Sequence, residues 1–211
     1  MSDDYGPWEP ATTAELEQIF AGAPFRWWIT GGMALELYAG YSWRDHDDAD
    51  VGICRADVAA LYRQLDGFCP YVAAGGQLSP WDGRLLADSE NNLWAKVRPE
   101  GPWRFDIVIG DGDNQTWIYR RDPRIRRPWS EVVLTSADGV PYLAPEVQLL
   151  FKSKGLRDKD DVDARTVTPL LTDEQRAWLA AALPAGHPWL QLLDHSSIPG
   201  TGGRDGIGPV E

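Results

Sequence analysis

The chain has 211 residues, 43% hydrophobic and 25% charged, enough for one large or two small domains around a sizeable core. Its net charge of −12 disfavours nucleic acid and anionic membranes as partners and suits cationic small molecules. No apolar run approaches the roughly 20 residues of a membrane span, and the acidic start MSDDYGPWEP lacks the basic and apolar regions of a signal peptide, so a cytoplasmic location is expected.

In chain order, TAELEQIF (13–20) predicts a helix with Thr12 or Thr13 as N-cap. FRWWIT (25–30) is aromatic and β-branched and predicts a strand, which Gly31-Gly32 breaks. Apolar residues at 33, 34, 37 and 38 predict a helix that stops at Gly40. DVGIC (50–54) predicts a strand and 55–65 a helix. Further strands are expected at 71–73, 93–98, 104–109, 116–119 and 132–134, separated by Asp-Gly and Gly-Pro turns. From Pro145 the pattern turns helical: 145–154, then DKDDVDARTVTPLL, DEQRAWLAAAL and a short HPWLQLL. The expected organisation is therefore an α/β core over 1–144, a helical part over 145–195 and a loose Gly/Pro-rich tail over 196–211. Cys54 and Cys69 read as two thiols, not a disulfide or a metal site. Of the eleven tryptophans most are expected in the core, with an aromatic-walled pocket as the sharper alternative.

Asp45, His46, Asp47, Asp48 and Asp50 crowd into six positions. A D-x-D pair alone is a weak signal, since the chain contains five of them: 45/47, 48/50, 111/113, 158/160 and 161/163. Context selects Asp48 and Asp50, which stand at the entry to an apolar strand, where side chains two apart share a face. Paired carboxylates repel unless a cation compensates, and their hard oxygens suit Mg²⁺. Gly31-Gly32 between strand and helix would let a phosphate approach the backbone and the positive helix end, with Thr30 as a hydroxyl donor. Asp106 is the only acid inside the apolar strand run RFDIVI and would complete a set of three carboxylates for two ions. Asp111 and Asp113, in a Gly-rich turn, read as solvated.

Gly31, Gly32, Ala34, Gly40, Arg44, His46, Asp47, Asp48, Asp50 and Val51 form a pattern that resembles the signature of small antibiotic-modifying nucleotidyltransferases, specifically over 27–54. The nearest group is the aminoglycoside 2″-nucleotidyltransferases and lincosamide nucleotidyltransferases of the DNA polymerase β-like superfamily. That resemblance implies an α+β fold, a mixed sheet flanked by helices with a mostly helical C-terminal part. It also implies two Mg²⁺ ions, ATP or another nucleoside triphosphate, and transfer of NMP to a hydroxyl of a small acceptor such as an aminoglycoside or lincosamide; the net charge would suit a cationic one. By the same resemblance Asp48 and Asp50 would bind both metals, and Asp106 would bind one and act as base. Lys152 and Lys159 would reach the triphosphate, although an amphipathic helix with a charged face explains them as well. Two alternatives stay open: a toxin- or antitoxin-type module that modifies tRNA or protein, and a silent nucleotide-binding relative. A homodimer that completes the cleft is also left open.

Arg44 reads equally as a triphosphate contact or as a local ion pair with Asp45 and Asp47, and His46 as a local pair. RRDPRIRR (120–127) reads as a solvated ribbon in preference to a phosphate or nucleic-acid patch. Glu90, Asp82 and Asp88 read as a solvated loop, with an acceptor pocket as the alternative.

Overall fold

Thr12 fixes the first element. Its hydroxyl accepts from Glu15 N–H at 3.2 Å and the Glu15 carboxylate accepts from Thr12 N–H at 2.7 Å, a reciprocal cap on α1, Thr13–Phe20. The computed structural model describes residues 5 to 194, so the expected tail over 196–211 lies outside the described residues.

Ten strands form one mixed sheet: β1 Trp27–Thr30, β2 Asp50–Cys54, β3 Cys69–Ala74, β4 Gln77–Pro80, β5 Asn92–Lys96, β6 Phe105–Gly112, β7 Thr116–Ile118, β8 Arg126–Pro128, β9 Val133–Thr135 and β10 Pro141–Leu143. Their order is β4-β3-β5-β6-β2-β1-β10-β9, with β7 on β6 and β8 on β7. β2 pairs with β6, and β1 with β10, in parallel; the other pairs are antiparallel. The central strands carry the core. Phe105, Ile107 and Ile109 alternate inward along β6, and Ile29, Val51 and Ile53 lie fully buried beside them.

The helices are α2 Gly31–Ala39, α3 Val58–Gln64 behind a 3-10 turn at Arg55–Asp57, α4 Trp129–Val132, α5 Pro145–Lys152, α6 Asp158–Val167, α7 Asp173–Ala182 and α8 Leu190–Asp194. Pro145 opens α5, where its missing N–H costs nothing. α5 is not the half-exposed helix its charges suggest. Glu146, Gln148 and Lys152 are buried with the apolar residues around them, and each has a polar partner: Arg127, Thr30 and Asp160 respectively.

Several expectations need correction. The first strand ends at Thr30 and the helix stops at Gly40, in the left-handed conformation, as expected, but the helix starts earlier than its apolar spacing suggests, with Gly31 and Gly32 as the first turn of α2. Asp48 precedes β2 and is not part of it. The turn expected at Asp111-Gly112 is the end of β6, and Asp111 is ion-paired to Arg55 at 3.0 Å and Arg120 at 3.3 Å. β4, β8 and β10 were not expected, because three or four residues containing proline or arginine carry no apolar alternation. Cys54 and Cys69 are both free thiols, and burial pushes the Cys54 thiol up to about 11. No helix among the described residues is long and apolar enough to cross a membrane.

Candidate active site

The sheet register brings the acids together. Thr30 stands opposite Asp50 across β1 and β2, and Asp50 stands opposite Asp106 across β2 and β6. At Gly31 the chain leaves the sheet with φ +70°, and a Cβ there would collide with Asp50 Oδ2, so only glycine fits between the helix start and the carboxylate. Thr30, Gly31, Asp48, Asp50 and Asp106 all line one cleft of about 570 Å³.

Asp106 is held by Asn92, whose Nδ2 donates to both carboxylate oxygens, at 3.0 and 2.8 Å. Burial nevertheless pushes Asp106 up to about 7, with the Asp48 charge adding to it and the Asn92 bond opposing it. Burial also raises Asp50 well above the usual carboxylate range. The charges of Asp48 and Asp106 add to that shift, and Lys152 and Lys159 offset part of it.

The same cleft is also lined by five cationic side chains: Arg120, Arg121, Lys152, Lys154 and Arg157. Lys152 comes from the end of α5 and lies 8% exposed, 3.0 Å from Asp160 and 2.9 Å from Asp163 on α6. Asp163 is fully buried and accepts from four donors: Trp43 Nε1, Arg44 Nε, Arg44 Nη2 and Lys152 Nζ. Burial alone would raise it, but the Arg44 bonds and the Lys152 charge outweigh burial and leave its carboxyl below the usual range. Asp160 follows the same logic, with Arg157 and Lys152 as its cations. Trp28, Trp117 and Phe151 give the cleft an aromatic floor.

Of the residues singled out in the sequence, Thr30, Gly31, Asp48, Asp50, Asp106 and Lys152 meet in this cleft; Gly32, Arg44 and Lys159 do not line it. A Cβ on Gly32 would strike Arg44 and His46, so that glycine admits their side chains. Arg44 is neither free for phosphate nor paired with Asp45 or Asp47 carboxylates; it clasps Asp163 with two bonds. His46 Nε2 stands 3.1 Å from Glu36 Oε2, and Lys159 pairs with Asp47 at 3.3 Å. The Thr30 hydroxyl is already committed, donating to Gln148 Oε1 at 2.7 Å, where the Gly31 N–H also donates at 2.8 Å. The ribbon at 120–127 is not simply solvated, since Arg120 and Arg121 enter the cleft. Glu90 does not face the cleft; it binds Arg84 and the Ala87 N–H and fastens its own loop.

Sequence reasoning missed Asn92, Gln148, Asp160 and Asp163, and it set the phosphate alternative for Arg120 and Arg121 behind a solvated ribbon. A usable signal existed for two of them. Asp160 and Asp163 are three apart on a helix and share a face, too acidic to be buried without cations.

Among the described residues no group of three or more His, Cys, Asp or Glu side chains is assembled closely enough to hold a metal by itself. The donor chemistry still fits Mg²⁺, which takes one or two carboxylates and fills its other positions with water and phosphate oxygens. Asp50 and Asp106 are register neighbours, both raised by burial and by the Asp48 charge, and a divalent cation held by them would offset that cost.

No protein-family model matches the chain, and no curated protein matches it. Solved structures do. The crystal structure of ANT(2″)-Ia in complex with adenylyl-2″-tobramycin superposes with a TM-score of 0.53 at 15% identity, covering 81% of this chain and 95% of that one. The lincomycin-bound crystal structure of the lincosamide antibiotic adenylyltransferase LnuA gives 0.50 at 20% identity, covering 74% of this chain and 95% of that one. The solution structure of ANT(2″)-Ia gives 0.52 at 15% identity, covering 80% and 89%.

Proposed function

We propose that this chain, which has the fold of the antibiotic nucleotidyltransferases, transfers NMP from ATP or another nucleoside triphosphate to a hydroxyl of a small molecule, with Mg²⁺. One observation carries the reading: a single cleft lined by Asp48, Asp50 and Asp106, by the Thr30-Gly31 turn and by five cationic side chains. A polyphosphate needs both halves, carboxylates for its metals and cations for its remaining charge.

The residues divide the work. Arg120, Arg121, Lys152, Lys154 and Arg157 bind the phosphates and offset charge as pyrophosphate leaves. Asp160 and Asp163 hold the Lys152 ammonium at the cleft wall, and Gln148 locks the strand-to-helix turn. Asp48, Asp50 and Asp106 would hold Mg²⁺, which supplies Lewis-acid polarisation of the α-phosphoryl group and lowers the pKa of an acceptor hydroxyl. Asp106, steadied by Asn92, takes the hydroxyl proton as the acceptor oxygen bonds the α-phosphorus and the bond to pyrophosphate breaks.

Aminoglycosides and lincosamides are the first acceptors to test, since similar structures carry adenylyl-tobramycin and lincomycin. The pure protein is incubated with Mg²⁺, each NTP and an acceptor panel, and acceptor mass and pyrophosphate are measured. A mass gain of one nucleoside monophosphate is expected, absent in Asp106→Asn. Pyrophosphate release that survives in Asp106→Asn would remove the assigned base.

A further inference from the structure

Asp106 and Asn92 line a second hollow as well as the phosphate cleft. It holds about 290 Å³ and lies between the β3–β4 hairpin and Trp94 of β5. That is the lower end of the ~300–1,000 Å³ usual for small-ligand sites, room for about one ring system.

The walls of this hollow are apolar and aromatic. Tyr5 presents its ring, because its hydroxyl is already spent donating to the Gly76 carbonyl at 2.7 Å. Trp94 is held edge-on among Tyr5, Trp8 and Trp103, with ring centroids 5.7, 5.1 and 5.5 Å away. The hairpin tip is Gly75-Gly76, so no side chain closes the opening there, and Leu78 adds an aliphatic wall. Among the described residues that line the hollow, Asp106 is the only charged one. The acidity of the chain as a whole is not concentrated here. A single carboxylate, already receiving Asn92 on both oxygens, is too little to pair several ammonium groups.

We infer that this hollow is the acceptor subsite, and that it selects a neutral, hydroxyl-bearing molecule with a flat apolar face over a polycation. The inference rests on the nucleotidyl-transfer reading above and replaces the cationic acceptor suggested by net charge. The ring stacks against Trp94 and Tyr5, and its hydroxyl meets Asp106 at the boundary between the two cavities. The acceptor oxygen then bonds the α-phosphorus, its proton passes to Asp106, and the electron pair of the broken P–O bond leaves with pyrophosphate.

Binding can be read without turnover. The full chain is titrated calorimetrically with 4-nitrophenyl glucoside, as the neutral probe, and with a polycationic aminocyclitol. The neutral probe is expected to bind more tightly. Tyr5→Ala should weaken it about five- to ten-fold, whereas Tyr5→Phe, which keeps the ring, should weaken it little. Leu78→Asp should weaken the neutral probe and strengthen the polycation, and circular dichroism of each variant confirms an intact fold. The inference is overturned if the polycation binds the wild type more tightly, if the neutral probe does not bind, or if Tyr5→Ala and Leu78→Asp leave its affinity unchanged. The absence of pyrophosphate release with every acceptor and NTP would instead sink the functional reading, and the titrations would still report on the hollow.

Discussion

Asp163 shows how one buried carboxylate organises the cationic wall. Four donors converge on it, two from Arg44, one from Trp43 and one from Lys152, and Lys152 also reaches Asp160. A buried charge with its partner removed is expensive. Lys152→Met should therefore cost about 3 kcal/mol of unfolding free energy, at the low end of such losses because Arg44 and Arg157 still serve the two aspartates. Denaturant unfolding measures this, and a loss below about 1 kcal/mol would mean that the ammonium is solvated and the network idle. The acids in the same cleft behave in the opposite way, because burial disfavours the charged form of Asp50 and the charges of Asp48 and Asp106 add to that. Asp50→Asn removes this costly ionisable group at nearly constant shape. The metal-free variant should melt at a higher temperature than the wild type at neutral pH, while nucleotidyl transfer falls at least about a thousand-fold. A lower melting temperature would show that the carboxylate holds the fold and not the substrate.

At the scale of elements, the site depends on one junction, where β1 becomes α2. Gly31 has φ +70° and faces Asp50 with no room for a side chain, and its N–H is fastened to Gln148 of α5. Gly31→Ala should cost about 1–2 kcal/mol from the left-handed backbone alone, with a further loss as Asp50 is displaced. It should lower kcat and raise the NTP KM together. An unchanged NTP KM would detach this turn from phosphate binding. The junction was legible in the sequence because an apolar strand, two glycines and a helical repeat follow one another within 25–40. The strand β2 was legible for the same reason. What joins these elements to α5 and α6 was not. Arg44 and Asp163 are 119 residues apart, Thr30 and Gln148 118 apart, and no local periodicity links them. The helix α6 was readable as a helix, but its acids counted only as weak D-x-D pairs, because Arg44 and Lys152, which pair with them, come from elsewhere in the chain. The three-residue strands β8 and β10 are defined by their pairing, β8 with β7 and β10 with β1 and β9, so tertiary pairing decides them and propensity does not.

For the whole molecule, burial of unlike clusters gives stability two opposed responses to pH. Asp160 and Asp163 titrate below the ordinary carboxylate value in the fold. Their contribution is present above about pH 4 and is lost as pH falls through their lowered folded values. Asp106, raised to about 7, and Asp50, raised well above its usual range, act with the reverse sign. From about pH 4 to 7 the folded chain keeps protons there that the unfolded chain has released, so stability falls as pH rises through that window. The groups facing this pair are Asp48, which deepens the effect, and Lys152 and Lys159, which moderate it. A divalent cation held there, as proposed, would substitute for those protons and compete with them. The melting temperature without metal should therefore decline between about pH 5.5 and 8, and Mg²⁺ should restore it by more at pH 8 than at pH 5.5. Thermal melts in EDTA and in Mg²⁺ across that range read both slopes at once. A metal effect equal at the two pH values would place the ion away from Asp50 and Asp106, because only a site that exchanges protons for metal couples the two.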